Sequence, residues 1–329
     1  MTAVRRTALA ALMVAALAVA ALLVWDGGID TDPRRELLPG VRLDLREVQT
    51  PLGVVEYDLA GMHGPVVLSV HAGLGGADQG RLFADFLRAD FRILSPSRPG
   101  YLATPLESGR TAQEQADLLA ALLDELGIDR VGVLGVSAGS TVAYTFAARH
   151  PDRVWALVSI GGVSRPRPPR EPGSPVRTAF LNSVGQKLVR LTATLSPRTL
   201  VAGTLDETST FTDEQKAERT AFIMNDPALF TAMLDTTFPY PDRSPGTRND
   251  AVQAATEPPL DRIVAPTLVV HGTHDGDVAF EDGVHAVERI PGAERYWMDG
   301  DDHLGFWLGP AAGRAQATVR GFLHRLTPP

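Results

Sequence analysis

The chain has 329 residues, 44% hydrophobic and 21% charged, the balance of a globular protein with a sizeable core. A formal net charge of −8, with no long basic block, argues against a nucleic-acid footprint. There is no cysteine, which excludes disulfides, thiol catalysis and thiolate-bound zinc.

The first segment reads differently from the rest. Arg5 and Arg6 precede an uncharged run from Thr7 to Trp25. At about 1.5 Å per residue such a helix nearly spans a hydrocarbon core. Trp25 would lie at the interface and the arginines on the cytoplasmic side. Residues 1–25 are therefore expected to anchor the protein in the cell membrane by a single pass, with the remainder outside the cytoplasm. The alternative is a signal peptide cut at Ala18-Val19-Ala20, which would release a secreted protein. Residues 26–40, rich in turn formers and charge, read as a linker.

Two alternating runs around Pro51-Leu52-Gly53 predict an antiparallel hairpin. GPVVLSVHAG, from Gly64, is a buried strand ending in glycines. Leu82, Phe83, Phe86 and Leu87 fall at helical spacing. FRILSPSRPGY is the next strand and its loop. Thr111 and Glu114 have capping-box spacing at the start of a helix that closes at Gly127. VGVLGV is a strand, AGSTVAYTFAARHP a helix stopped by Pro151, and VWALVSIGG a strand. This alternation predicts a mostly parallel sheet with helices on both faces. It resumes with the strand APTLVVHG, the helix EDGVHAVERI, the strand ERYWMDG and a last amphipathic helix.

Residues 164–260 interrupt the pattern. They begin with a proline- and arginine-rich loop and continue in helical pieces such as TAFLNSVGQKLVRLTATL, TDEQKAERTAFIMND and PALFTAMLDTTF. Phe180, Leu181, Leu188, Phe222, Met224, Phe230, Met233 and Phe238 give these pieces an apolar face. An insert of this size is expected to be a helical cap or lid. The core is then residues 41–163 and 261–329.

A serine nucleophile needs a base within hydrogen-bond reach, a third group to orient that base, and donors for the oxyanion. Ser137, in GVSAG, ends a strand and begins a helix, the context that separates a strained nucleophile turn from a chance match. Gly135 and Gly139 let the backbone turn and approach closely. The Ala138 N–H, near a helix N-terminus, is one expected oxyanion donor. The second is expected in the loop HAGLGG, at Gly73, with Leu74 as the alternative. His71 reads as a structural hydrogen-bonder of that loop. The acid is expected after a late strand, at Asp275, while Asp277 reads as solvated. Of the eight histidines, His303 stands after the last strand, where the base belongs; His274 is beside the acid on the wrong side of the backbone. Asp301 and Asp302 read as surface residues.

HAGLGG, SRPGY, GVSAG, HGTHD and DDH, in this order, resemble the α/β-hydrolase family over about residues 41–162 and 261–326. The resemblance implies an α/β fold with an eight-stranded, mostly parallel sheet and a cap. It also implies a triad of Ser137, Asp275 and His303, with no metal or organic cofactor. The expected function is a serine hydrolase acting on an ester or similar acyl compound, on a small molecule with an apolar part. One alternative is a peptidase or amidase like the prolyl aminopeptidases. HAGLGG is similar to their HGGPGG loop, and cap carboxylates such as Glu207, Asp213 or Glu214 would bind a free amine. The other is a non-catalytic envelope protein that uses the fold to bind a ligand.

Overall fold

In the computed structural model, the described residues are 13, 25, 28, 30–167 and 175–328. Ten strands are present among them. β1 (Glu36–Leu38) and β2 (Val41–Arg42) form a small hairpin within and just after the stretch read as a linker. The others make one eight-stranded sheet in the order β10-β9-β8-β7-β5-β6-β4-β3. β3 (Arg46–Thr50) and β4 (Gly53–Ala60) pair antiparallel across the Pro51-Leu52 turn, and β4 pairs antiparallel with β6 (Arg92–Pro96). β5 (Val66–Val70), β7 (Val131–Val136), β8 (Val154–Ile160), β9 (Thr267–Gly272) and β10 (Glu294–Met298) run parallel to β6 and to one another. β5, β7, β8 and β9 are buried along their whole length, which is why they read as unbroken apolar runs rather than alternating ones.

Helices cover both faces. α1 (Ala77–Phe83) follows β5, and α2 (Ala112–Glu125) follows β6. α2 opens with the predicted capping box, in which the Thr111 side chain accepts from Glu114 N–H and the Glu114 carboxylate accepts from Thr111 N–H. α3 (Gly139–Arg149) follows β7. Two apolar cores result, one on each side of the sheet. One gathers Phe91, Trp155, Phe306 and Phe322, the other Leu119, Leu122, Tyr144 and Phe146.

Six helices are inserted between β8 and β9: α4 (Pro175–Phe180), α5 (Ser183–Leu195), α6 (Pro197–Thr208), α7 (Asp213–Asn225), α8 (Ala228–Asp235) and α9 (Ser244–Gln253). The piece read as one helix from Thr178 is broken because Asn182 caps a new start by accepting from Gly185 N–H. Of the expected apolar face, Phe230, Met233 and Phe238 are buried, whereas Leu181, Leu188 and Phe222 are exposed. α5 packs inward through Gly185, Gln186 and Val189, so its opposite stripe points to solvent.

Three buried guanidinium–carboxylate contacts join the insertion to the sheet domain. Arg98, in the loop after β6, grips Asp250 of α9 through two bonds of 2.6 and 2.7 Å, and the Tyr101 hydroxyl donates to the same carboxylate at 2.6 Å. Arg243 reaches Asp78 of α1 at 2.7 Å. Arg219 of α7 reaches Asp301 and Asp302. Removing Asp250 or Arg219 leaves a buried charge uncompensated, at a cost of about 3–5 kcal/mol.

α10 (Phe280–Arg289), α11 (Gly305–Leu308) and α12 (Ala312–Leu326) complete the described chain. α12, at 15 residues, is the longest described helix. It is about 22 Å long at 1.5 Å per residue, short of a hydrocarbon core of about 30 Å. No helix among the described residues is long and apolar enough to cross a membrane. This corrects the expected single-pass membrane localisation and the membrane as a partner. The run Thr7–Trp25 on which that expectation rested lies, apart from Met13 and Trp25, outside the described residues.

Candidate active site

The carboxyl ends of the parallel strands share one edge of the sheet, where loops from several strands converge. Ser137 lies there, just past β7, with φ of 50°. That left-handed conformation costs a side-chain-bearing residue about 1–2 kcal/mol. It is held by three backbone bonds: Ser137 N–H to Ile160, and the Ser140 and Val163 N–H groups to the Ser137 carbonyl. Of the two tasks expected of the flanking glycines, turning and close approach, the structure shows the second. Neither takes a positive φ; the serine itself does. A Cβ on Gly139 would stand 2.2 Å from the His71 carbonyl oxygen, and one on Gly135 would stand 2.6 Å from the Ala143 Cβ. Both are needed so that helix α3 can start tight against β5 and β7.

Of the three side chains expected to meet, His303 stands within hydrogen-bond distance of both of the others. His303 Nε2 is 3.1 Å from Ser137 Oγ, and His303 Nδ1 is 2.7 Å from Asp275 Oδ2. Asp275 Oδ1 accepts from the Asp277 and Val278 N–H groups at 2.9 and 2.7 Å, which fixes the carboxylate plane. Gly161, with φ of 54°, leaves room for the pair: a Cβ there would stand 3.2 Å from the His303 ring. Burial works against ionising Asp275, but His303 and the His271 ring outweigh it and hold the carboxyl below its ordinary range. Burial also disfavours the imidazolium of His303. The carboxylates of Asp275, Asp277 and Asp302 overcome this and raise it above the ordinary histidine value.

The loop after β5 faces Ser137 from the other side. The Cβ position of Gly73 lies 3.8 Å from the Ala138 Cβ. Among the described residues, no protein group accepts a hydrogen bond from the N–H of Gly73, Leu74 or Ala138. Leu74 has φ of 62°, so strained backbone occurs in both loops beside the serine. His71 is fully buried. Its Nε2 accepts from Arg98 N–H at 2.9 Å, which leaves Nδ1–H to donate to the Ala72 carbonyl at 2.7 Å. Burial and the neighbouring Arg98 guanidinium push its pKa well below the ordinary value, so it is a neutral strut of the loop.

Other expectations fail here. Asp277 is not simply solvated: one oxygen is 3.6 Å from His303 Nε2 and the other 3.2 Å from Arg177. Asp301 and Asp302 are not surface residues but are 3% and 1% exposed. Burial pushes Asp302 up to about 6 against the opposing pull of Arg219. Asp213 and Glu214, candidate amine binders whose composition is also that of an ordinary solvated face, are exposed on α7. Little in the sequence pattern marks His271 or Arg219 as part of the site. The buried His271 ring lies 3.3 Å from Asp275 Oδ2 and 2.9 Å from the Val278 carbonyl. Its signal is faint: a polar ring four residues before the acid in an otherwise apolar strand.

A serine on a strained turn, hydrogen-bonded to an imidazole that a buried carboxylate orients, can attack a carbonyl carbon. Comparison with known proteins gives this site its family. A family model described as alpha/beta hydrolase fold matches residues 65–310.

The chain belongs to the α/β-hydrolase family.

An α/β-hydrolase fold protein from Nakamurella multipartita is 39% identical, covering 85% of this chain and 98% of its own, with a TM-score of 0.79. An uncharacterized hydrolase, YcgS of Bacillus subtilis (strain 168), is 27% identical over 83% of this chain and 95% of its own length. A 2-hydroxy-6-oxononadienedioate/2-hydroxy-6-oxononatrienedioate hydrolase of Cupriavidus pinatubonensis is 26% identical over 71% of this chain and 77% of its own. A thermophilic esterase from Thermogutta terrifontis shares the α/β-hydrolase fold, at 20% identity and a TM-score of 0.60, over 86% of this chain and 99% of its own.

Proposed function

We propose that this α/β-hydrolase is a serine hydrolase that cleaves an ester or similar acyl bond through an acyl-enzyme at Ser137. The observation that carries the reading is the unbroken hydrogen-bond chain Ser137 Oγ–His303–Asp275. In the first half-reaction His303 Nε2 takes the hydroxyl proton as Oγ attacks the carbonyl carbon. Asp275 accepts from Nδ1–H, which keeps Nε2 unprotonated and facing the serine, and it stabilises the imidazolium that forms. The Gly73 and Ala138 N–H groups, which have no protein acceptor among the described residues, receive the developing oxyanion, with Leu74 N–H as the alternative to Gly73. His303 then protonates the leaving oxygen. Water, deprotonated by the same nitrogen, attacks the acyl carbon and restores Ser137. The helical insertion acts as the cap over this site.

A panel of p-nitrophenyl esters of graded acyl length, run beside aminoacyl naphthylamides and a carbon–carbon substrate of the dienedioate type, tests the bond cleaved. Ester turnover with little activity on the other two is expected. Preferential cleavage of the naphthylamides or of the carbon–carbon substrate overturns the reading.

The charges around His303 set a pH dependence. Only neutral imidazole can accept the serine proton, so kcat/KM should rise with pH through the free-enzyme value of His303. The surrounding carboxylates raise that value, so the rise should be centred above pH 6.5. Asp277→Asn removes one of them and should move the rising limb to lower pH. A limb centred at or below 6.5 in the wild type, or one unmoved by the substitution, contradicts this account.

A further inference from the structure

We propose that Arg219, carried by the insertion, is a positioning residue for His303, so that the insertion sets the geometry of the base as well as covering the site. The inference rests on His303 acting as the base, as read above.

Arg219 is 7% exposed. Its Nη1 donates to Asp302 Oδ1 at 2.8 Å and its Nη2 to Asp301 Oδ1 at 2.6 Å. The planar fork therefore spans the two residues immediately before His303, a geometry that a point charge cannot reproduce. The Phe211 ring backs the guanidinium, with the central carbon 5.1 Å from the ring centre. Two adjacent carboxylates with almost no access to water repel each other and resist ionisation, so a shared cation is what holds both in place. The turn that follows is moulded around Asp301: a Cβ on Gly305 or Gly309 would stand 2.7 or 2.4 Å from its side chain.

The backbone is gripped as well. The carbonyl of Thr208, at the end of α6, accepts from the N–H of His303 at 3.2 Å and from that of Gly276 at 3.1 Å. Thr210 N–H donates to the His274 carbonyl at 2.9 Å, and His274 N–H donates to the Asp301 carbonyl at 2.9 Å. One short stretch of the insertion thus holds the loops of acid and base together, and the Arg219 fork fixes the side chains leading into His303. A misplacement of about 1 Å at a reacting group can cost about 100-fold in rate.

The test compares Arg219→Ala, Arg219→Lys and the triple variant Arg219→Met, Asp301→Asn, Asp302→Asn with wild type. Arg219→Ala leaves two buried carboxylates without their cation and can unfold; the triple variant removes all three charges together and keeps the experiment decisive. Per folded active site, titrated with a fluorophosphonate, kcat should fall about 10- to 100-fold in Arg219→Ala and in the triple variant, with KM changed far less. Arg219→Lys should recover only part of the loss. Guanidinium ion at non-denaturing concentration should partly rescue Arg219→Ala. In parallel, nuclear magnetic resonance of labelled histidine follows the His303 Nδ1 proton, which should lose its sharp, exchange-protected signal in the triple variant. A folded triple variant with wild-type kcat and an unchanged His303 proton overturns the proposal. The proton signal needs no turnover, so a wild type that neither labels nor cleaves esters would sink the serine-hydrolase reading while leaving the positioning of His303 readable.

Discussion

Ser137→Ala should abolish ester hydrolysis, lowering kcat by about 10⁴-fold or more, and should end covalent labelling by a fluorophosphonate. The size follows from the role. Without Oγ there is no acyl-enzyme, and only the oxyanion donors and substrate binding remain to accelerate attack by water. The fold should survive. Among the described residues the Ser137 side chain makes one hydrogen bond, to His303, while the turn is held by backbone groups that alanine keeps. Alanine at φ of 50° bears a strain comparable to that of serine. Thermal unfolding should therefore stay close to wild type, and KM for a slowly turned-over ester should change little. An alanine variant that labels as fast as wild type would remove Ser137 as the nucleophile.

Asp275→Asn should lower kcat by about 10⁴-fold while leaving the fold nearly unchanged. The geometry dictates which way the amide points. Oδ1 of Asp275 accepts two backbone N–H groups, so the asparagine oxygen must take that place and its NH₂ must take the place of Oδ2. The NH₂ then faces His303 Nδ1 as a donor. His303 answers by carrying its proton on Nε2, the atom that has to accept from Ser137. The variant would hold an intact-looking triad in the wrong tautomer. Steady-state kinetics normalised to titrated active sites checks this; a loss of less than about tenfold would show that Asp275 does not orient the base.

The alternating strands and helices carried the sheet legibly, because β5, β7, β8 and β9 are fully buried and their apolar runs are dictated by burial. Ser137, Asp275 and His303 could be singled out because each lies in the loop that follows a strand, and strand ends converge on one edge of a parallel sheet. What was not legible depended on partners distant in the chain. Asp301 and Asp302 look like a solvated turn until Arg219, some eighty residues away, is brought against them. Asp277 looks solvated until His303 is folded over it. α6 and α9 are not separately legible. α6 begins at Pro197 immediately after α5 ends, and α9 is mainly polar, so neither announces itself by an apolar stripe.

The buried contacts of Arg98, Arg243 and Arg219 also bear on how this protein can be re-engineered. Helical insertions on a common sheet invite exchange as interchangeable modules. Here every such contact has one partner in the insertion and the other in the sheet domain: Asp250 faces Arg98, Arg243 faces Asp78, and Arg219 faces Asp301 and Asp302. A foreign insertion that lacks these complements would strand Arg98, Asp301 and Asp302 in the dry interior of the recipient and leave Asp78 with Arg35 as its remaining partner. Substrate range is therefore better altered by changing side chains within the native insertion, or by a graft that retains Arg219, Arg243 and Asp250 at their native positions.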